Sequence, residues 1–212
     1  MNWLAQNWPQ VCELVWVHLQ LSLPAIAISI LIAIPIGRLA FRYGRFGGAL
    51  TSVSTLLYAI PALPMLIIIP AIIGVPLRSN ANMVIALTLY GVALLVRSAA
   101  DGFASVDSAV RDSSVAIGYS KFALFWRVDL PLALPVMLAG VRVVAVSTIS
   151  LVTVGALIGV SSLGTLLTDG FQRGIFAEVL TGVVATIVLA LVLDGLLLLL
   201  GRMLAPWRRV AA

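Results

Sequence analysis

The chain has 212 residues, 62% hydrophobic and 10% charged, with a mean hydropathy of +1.16 and a pI near 10.1. So much Leu, Ile, Val and Ala exceeds what a soluble interior of this size can hide, which excludes a soluble globular domain and indicates an integral membrane protein. The net charge of +5 does not point to nucleic acid, because the basic residues flank apolar spans instead of forming one polar footprint.

From the N-terminus, a first membrane helix is predicted over Val17–Gly37. No Lys or Arg precedes it and its apolar stretch is too long for a secretory signal, so it reads as a retained span. Cys12 and His18 are the sole cysteine and histidine, which rules out an intrachain disulfide framework and a multi-residue Cys/His metal centre. Both read as interfacial packing residues. A second span, Ala49–Val75, contains Pro61, Pro64 and Pro70. Each proline removes a backbone donor, so this reads as a kinked helix that either lines a cavity or bends in packing. A third span covers Asn82–Ala100, a fourth Pro131–Gly155 and a fifth Ala177–Gly201, each near the length a helix needs to cross a bilayer. Between the last two, Gly155, Gly159, Gly164, Ser161 and Ser162 suit a segment that dips back into the membrane or lies on it, with a plain outer loop as the simpler alternative.

Basic residues orient these spans. Arg38, Arg42, Arg45, Arg97, Arg111, Lys121, Arg127, Arg202, Arg208 and Arg209 fall on one side, against Arg78 and Arg173 on the other. The bias places the N-terminus outside and the C-terminus in the cytoplasm. Trp3, Trp8 and Trp16 at one end and Trp207 at the other suit interfacial belts.

Residues 104–135 form a polar island between spans three and four. Asp107 or Ser108 is placed to cap a short helix, with Val106, Val110 and Ile117 as a thin apolar stripe beside Ser113. Gly118 is expected to end that helix in a left-handed conformation, and Ser120 to start a second short helix through Arg127. Pro131 then fits the first turn of the next span. Helix, glycine corner and helix would lie on the cytoplasmic face and fill a groove in a soluble partner.

At these residues the chain resembles the permease subunits of ATP-binding-cassette importers. Their signature is Glu-Ala-Ala, three residues, Gly, nine residues, Ile, any residue, Leu-Pro. It maps with every spacing kept onto Asp112-Ser113-Ser114, Gly118, Val128 and Leu130-Pro131, with a shortened acid, serines for alanines and Val for Ile. Tyr58–Gly74, Ala86–Gly91, Leu138–Arg142 and Ser147–Gly174 are similar to the osmoprotectant subfamily. The resemblance implies an all-α integral membrane protein of about five transmembrane helices with type I ABC importer permease architecture. Residues 1–212 would form a single transmembrane permease domain, with a cytoplasmic coupling-helix region over 104–128. It implies an ATPase-coupling role for Asp112, Ser113, Ser114, Gly118, Tyr119 and Ser120. It also implies a bacterial plasma (inner) membrane location, a cytoplasmic ABC ATPase dimer that binds ATP and Mg, and an extracytoplasmic substrate-binding protein. The expected solutes are glycine betaine, carnitine or choline, with an amino acid or other small solute as the alternative.

The residues themselves agree on what is missing. Lys121, the only lysine, is followed by Phe, so no phosphate loop exists and the chain is not expected to bind a cofactor or act as an enzyme. Five spans without an internal repeat are few for a complete alternating-access route, so a second permease, identical or homologous, is expected. Arg142, inside span four, reads as a gate or interface ion pair, or as a snorkelling group. Asp194 is expected to pair with an arginine near the cytoplasmic end. Tyr58 and Tyr90 alone do not make an aromatic cage for a quaternary ammonium group, and no substrate-contact residue is assigned. A channel or secondary transporter that works without an ATPase is the rival class.

Overall fold

The computed structural model describes residues 2–205; the expectations for Trp207, Arg208 and Arg209 lie outside them. Among the described residues all regular structure is helical. In order these are α1 (Asn2–Arg42), α2 (Gly44–Ala59), α3 (Ala62–Ile73), α4 (Asn80–Ala104), α5 (Ser108–Ala116) and α6 (Lys121–Leu124). A π-helical turn at Phe125–Asp129 leads into α7 (Leu130–Val152), and a 3-10 turn at Thr153–Ile158 precedes α8 (Leu163–Arg173) and α9 (Phe176–Leu204). Four continuous stretches, Trp3–Arg42, Asn80–Ala104, Lys121–Ile158 and Phe176–Leu204, are long and apolar enough to cross a membrane, and α2 with α3 makes a fifth if the pair is one span.

The first span is much longer than the apolar run suggests. Its 41 residues extend about 61 Å, twice the hydrocarbon thickness of about 30 Å. The extension is amphipathic: Gln10 and Glu13 are exposed, while Val11 and Leu14 pack on Leu163 and Leu166 of α8. Tertiary packing therefore continues a helix that the hydropathy pattern would end. Trp3, Trp8 and Trp16 are consequently strung over about 20 Å of one helix and do not form a thin belt.

The second span is not a kinked rod. It breaks at Ile60–Pro61, where α2 and α3 meet at 106°. Proline chemistry explains both the break and its repair. Pro64 has no N–H for the Ile60 carbonyl, and the Tyr90 hydroxyl donates to that oxygen at 2.5 Å. Pro70 likewise leaves the Leu66 carbonyl without its helical donor, and Asn82 Nδ2 supplies one at 2.9 Å while also donating to Leu77. The same logic holds where α7 tightens into the 3-10 turn. Thr153 N–H turns to Ser150 and Leu151, the Ile149 carbonyl loses its partner, and buried His18 Nε2 donates to it at 3.0 Å. His18 thus ties α1 to α7, which gives the packing role expected of it a specific contact.

Lipid offers little drive for helices to associate, so close backbone approach matters. Gly91 packs so tightly on α1 that an added Cβ would lie 2.1 Å from Ser29 Oγ, and Gly140 approaches Ser98 equally closely. Ser29 also donates across the same seam to the Thr88 carbonyl at 3.1 Å. The fifth span, α9, lies at the periphery. Only Glu178 and Gly182 along it are buried, and its exposed face runs through Leu180, Val184, Val188, Leu191 and Leu196.

The segment between spans four and five is ordered and helical. Gly159, at φ +84°, turns the chain, and Ser162 with Thr165 forms a reciprocal capping box that starts α8. Leu163 and Leu166 of α8 then pack against α1. The plain outer loop is excluded in favour of a turn and a packed short helix.

Candidate coupling site

The polar island folds largely as its residues dictate. Asp107 caps α5 by accepting the Ala109 N–H at 2.9 Å, and Ser120 caps α6 by accepting from Ala123 at 3.2 Å. Between them Gly118 takes φ +95°, a conformation disfavoured for residues with a Cβ. The Gly118 and Tyr119 amides turn back to the Val115 and Ser114 carbonyls, closing the C-terminus of α5.

Two parts of the expectation need correcting. The helix that starts at Ser120 is not a separate surface element: α6, the π turn and α7 run on without a break through Val152. Pro131 therefore lies inside continuous helix. Its ring would clash with the carbonyl one turn earlier, and the chain widens just before it, with the Leu130 N–H reaching back to Phe125. The stripe also divides. Val106 precedes α5 and is buried with Phe103, Ala133 and Met137, whereas Val110 and Ile117 face outward.

The candidate residues therefore differ in what they can touch. Asp112, Ser113, Gly118 and Ser120 are exposed, Tyr119 is half-buried, and Ser114 is buried with its hydroxyl donating to the Val110 carbonyl at 2.7 Å. Ser114 can shape the corner but offers no free hydroxyl to a partner. Around the exposed members stand Val115, Ile117, Phe122 and Trp126, apolar side chains projecting from a polar corner.

Beneath this corner lies an anchor that the sequence reading did not identify. Asp129, the unspecified position of the signature, is fully buried between two arginines. Arg111 of α5 donates through Nε to Oδ1 at 2.6 Å, and Arg38 of α1 brings Nη2 to 2.5 Å from Oδ2, a charge contact without hydrogen-bond alignment. Arg111 also donates to the Val106 and Phe103 carbonyls at 2.9 and 2.5 Å, satisfying acceptors at the end of α4. Arg38 lies over the rings of Phe103 and Phe125, 5.0 and 5.2 Å from their centroids. One carboxylate thus joins α1, α5 and the start of α7, and the arginine that reaches it closes α4.

Farther along α7, Arg142 makes a two-pronged ion pair with Asp194 of α9, both contacts at 2.7 Å. Asp194 thus pairs with an arginine as expected, and of the two readings of Arg142 the structure shows an ion pair, within this chain. Tyr58 and Tyr90 meet edge to face with centroids 5.9 Å apart, which is packing and not a cage.

These features define a helical membrane subunit with an exposed corner joined to its spans by ion pairs and hydrogen bonds. Residues 25–210 match the family of binding-protein-dependent transport system inner membrane components, and the chain belongs to it. It is the permease component of a binding-protein-dependent ABC importer, a multi-pass protein of the inner membrane, and such a component works with an ATPase and a substrate-binding protein. It is 31% identical to the glycine betaine/carnitine/choline transport system permease protein of Bacillus subtilis, over 98% of this chain and 90% of that protein. It is 30% identical to the choline transport system permease protein of the same organism, over 99% and 92%, and 31% identical to the osmoprotectant import permease protein of Salmonella typhimurium, over 89% and 80%. The fold also matches an inward facing methionine ABC transporter, with TM-score 0.80, 18% identity and 92% and 95% coverage. An amino acid ABC transporter matches with TM-score 0.77, 17% identity and 94% and 96% coverage.

Proposed function

We propose that the chain conducts quaternary ammonium osmoprotectants such as glycine betaine, carnitine or choline, and that the α5 corner transmits the ATPase stroke to the spans. The observation that carries the coupling reading is the Asp129 anchor: a docked corner that could swing freely would transmit nothing, whereas this one is joined to α1, α4 and α7. Relatives named for these solutes, matched over almost the whole chain, support the solute reading.

In this reading the N-terminus faces outward and the C-terminus the cytoplasm, following the basic residues. Asp112, Ser113, Tyr119 and Ser120 contact the ATPase with Val115, Ile117 and Phe122, while Ser114 and Gly118 hold the corner's shape. ATP and Mg bind the separate ATPase dimer, two permeases face each other around the route, and an extracytoplasmic receptor delivers the solute. ATP-driven closure of the ATPase dimer pushes α5, and the Asp129 anchor carries that displacement into α1 and α7, tilting them between inward- and outward-facing arrangements.

Uptake of labelled glycine betaine, carnitine and choline by vesicles containing the full importer tests the reading. Receptor- and ATP-dependent uptake is expected, and Asp112→Lys is expected to abolish it with the protein still inserted. Uptake of methionine or histidine instead would transfer the solute reading to amino acids. Uptake without ATP would overturn the importer mechanism.

A further inference from the structure

Arg142 and Asp194 place opposite charges at a depth where charge is costly. At 1.5 Å per residue, Arg142 lies about 18 Å along α7 from Leu130 and Asp194 about 15 Å before the end of α9. Both positions fall inside helices long and apolar enough to cross a membrane, Lys121–Ile158 and Phe176–Leu204. The pair is nevertheless partly open, with side-chain exposures of 36% and 22%. Charged groups at such depth face a water-filled cavity or a polar partner and not acyl chains.

The open side is a groove. A cavity of about 400 Å³ runs between α7 and α9, walled by Leu138, Ala139 and Leu197, with Arg142 at one end and Arg202 at the other. Only Nε and Nη2 of Arg142 bond to Asp194, so Nη1 has no acceptor among the described residues while the side chain lines the groove. Arg202 likewise forms no ion pair among the described residues. The groove thus offers unused guanidinium donors at both ends, between apolar walls, and Asp194 stands behind Arg142 without lining it.

We propose that the Arg142–Asp194 pair and this groove form a transit site for a small zwitterion, resting on the solute class inferred above. The solute's carboxylate takes the free edge of Arg142, and its methylated cationic end lies along the apolar wall of Leu138, Ala139 and Leu197. The pair is neutral overall, and a zwitterion beside it adds no net charge within the spans. A simple cation such as choline has no carboxylate to offer Arg142, so Arg142 separates the two solute types. Arg202 offers the carboxylate its next contact toward the end of α9.

The test uses vesicles with the full importer, its ATPase and its receptor, comparing wild type with Arg142→Gln and Arg142→Lys. Arg142→Gln is expected to lower glycine betaine uptake about tenfold or more, as loss of a charge-assisted contact, with choline uptake changed less than about threefold. Receptor-stimulated ATP hydrolysis is expected to stay within about twofold of wild type, because the loss lies in passage and not in coupling. Arg142→Lys keeps an ion pair with Asp194 and is expected to show the same preference against glycine betaine at smaller amplitude. It decides the matter if the glutamine variant is not recovered in the membrane. Loss shared equally by both solutes and by ATP hydrolysis, or undiminished glycine betaine uptake, would overturn the transit site alone. Wild-type vesicles that take up neither solute would overturn the solute class beneath it.

Discussion

Substituting Asp129 by asparagine leaves two guanidinium groups facing a neutral amide in a fully buried position. Removing one partner of a buried ion pair costs about 3–5 kcal/mol. Arg38 and Arg111 keep 25% and 17% exposure, and Arg111 retains its bonds to Phe103 and Val106, so the lower figure, about 3 kcal/mol, applies here. At about 1.4 kcal/mol per factor of ten, that shifts the balance between anchored and detached α5 roughly a hundredfold. Two assays read this. Amide hydrogen exchange across residues 108–116 should accelerate in Asp129→Asn, and solute moved per ATP hydrolysed should fall steeply while the protein stays in the membrane. Exchange and coupling both matching wild type would refute the claim that this carboxylate holds the corner to the spans.

Gly118→Val should uncouple uptake from ATP hydrolysis while Gly118→Asn largely preserves it, because no neighbour crowds the position and only the φ of +95° excludes a β-branched residue. Parallel uptake measurements showing the two variants equal would remove that explanation. Gly91→Val should lower the thermal unfolding midpoint by an amount equivalent to about 1–3 kcal/mol, as overpacking against Ser29, and adding Ser29→Gly should restore part of it. No recovery in the double variant would mean that the clash lies elsewhere. Tyr90→Phe should cost about 1–2 kcal/mol by leaving the Ile60 carbonyl unpaired at the α2–α3 corner, read as a lower detergent unfolding midpoint than wild type. An unchanged midpoint would show that another donor serves that carbonyl.

The spans were legible because hydropathy reports burial in lipid directly, and the corner because its caps and glycine are local signals: Asp107, Gly118 and Ser120 each act within four residues of themselves. What escaped was long-range. Asp129 sits at the unspecified position of the signature, and its meaning depends on Arg38, ninety-one positions earlier, and on the fold that brings them together. The first span was predicted to begin only at Val17, and the earlier part of α1 was missed because what continues it is the packing of Val11 and Leu14 on α8. The prolines of the second span announced a disturbance but not its angle, and the donors that serve the released carbonyls, Tyr90 and Asn82, come from α4, remote in sequence. A buried polar residue in a greasy chain reads as an isolated oddity until the broken carbonyl it serves is known; Asn82, Tyr90 and His18 share that explanation.

The most direct test replaces Cys12 with serine and places a single cysteine at Ile117, which is 75% exposed at the tip of the corner. A thiol-anchored photocrosslinker there should give one adduct with the ATPase subunit in membranes containing the assembled importer, and its yield should change with ATP. No adduct from Ile117→Cys, together with one from Leu157→Cys in the turn after α7, would contradict the account.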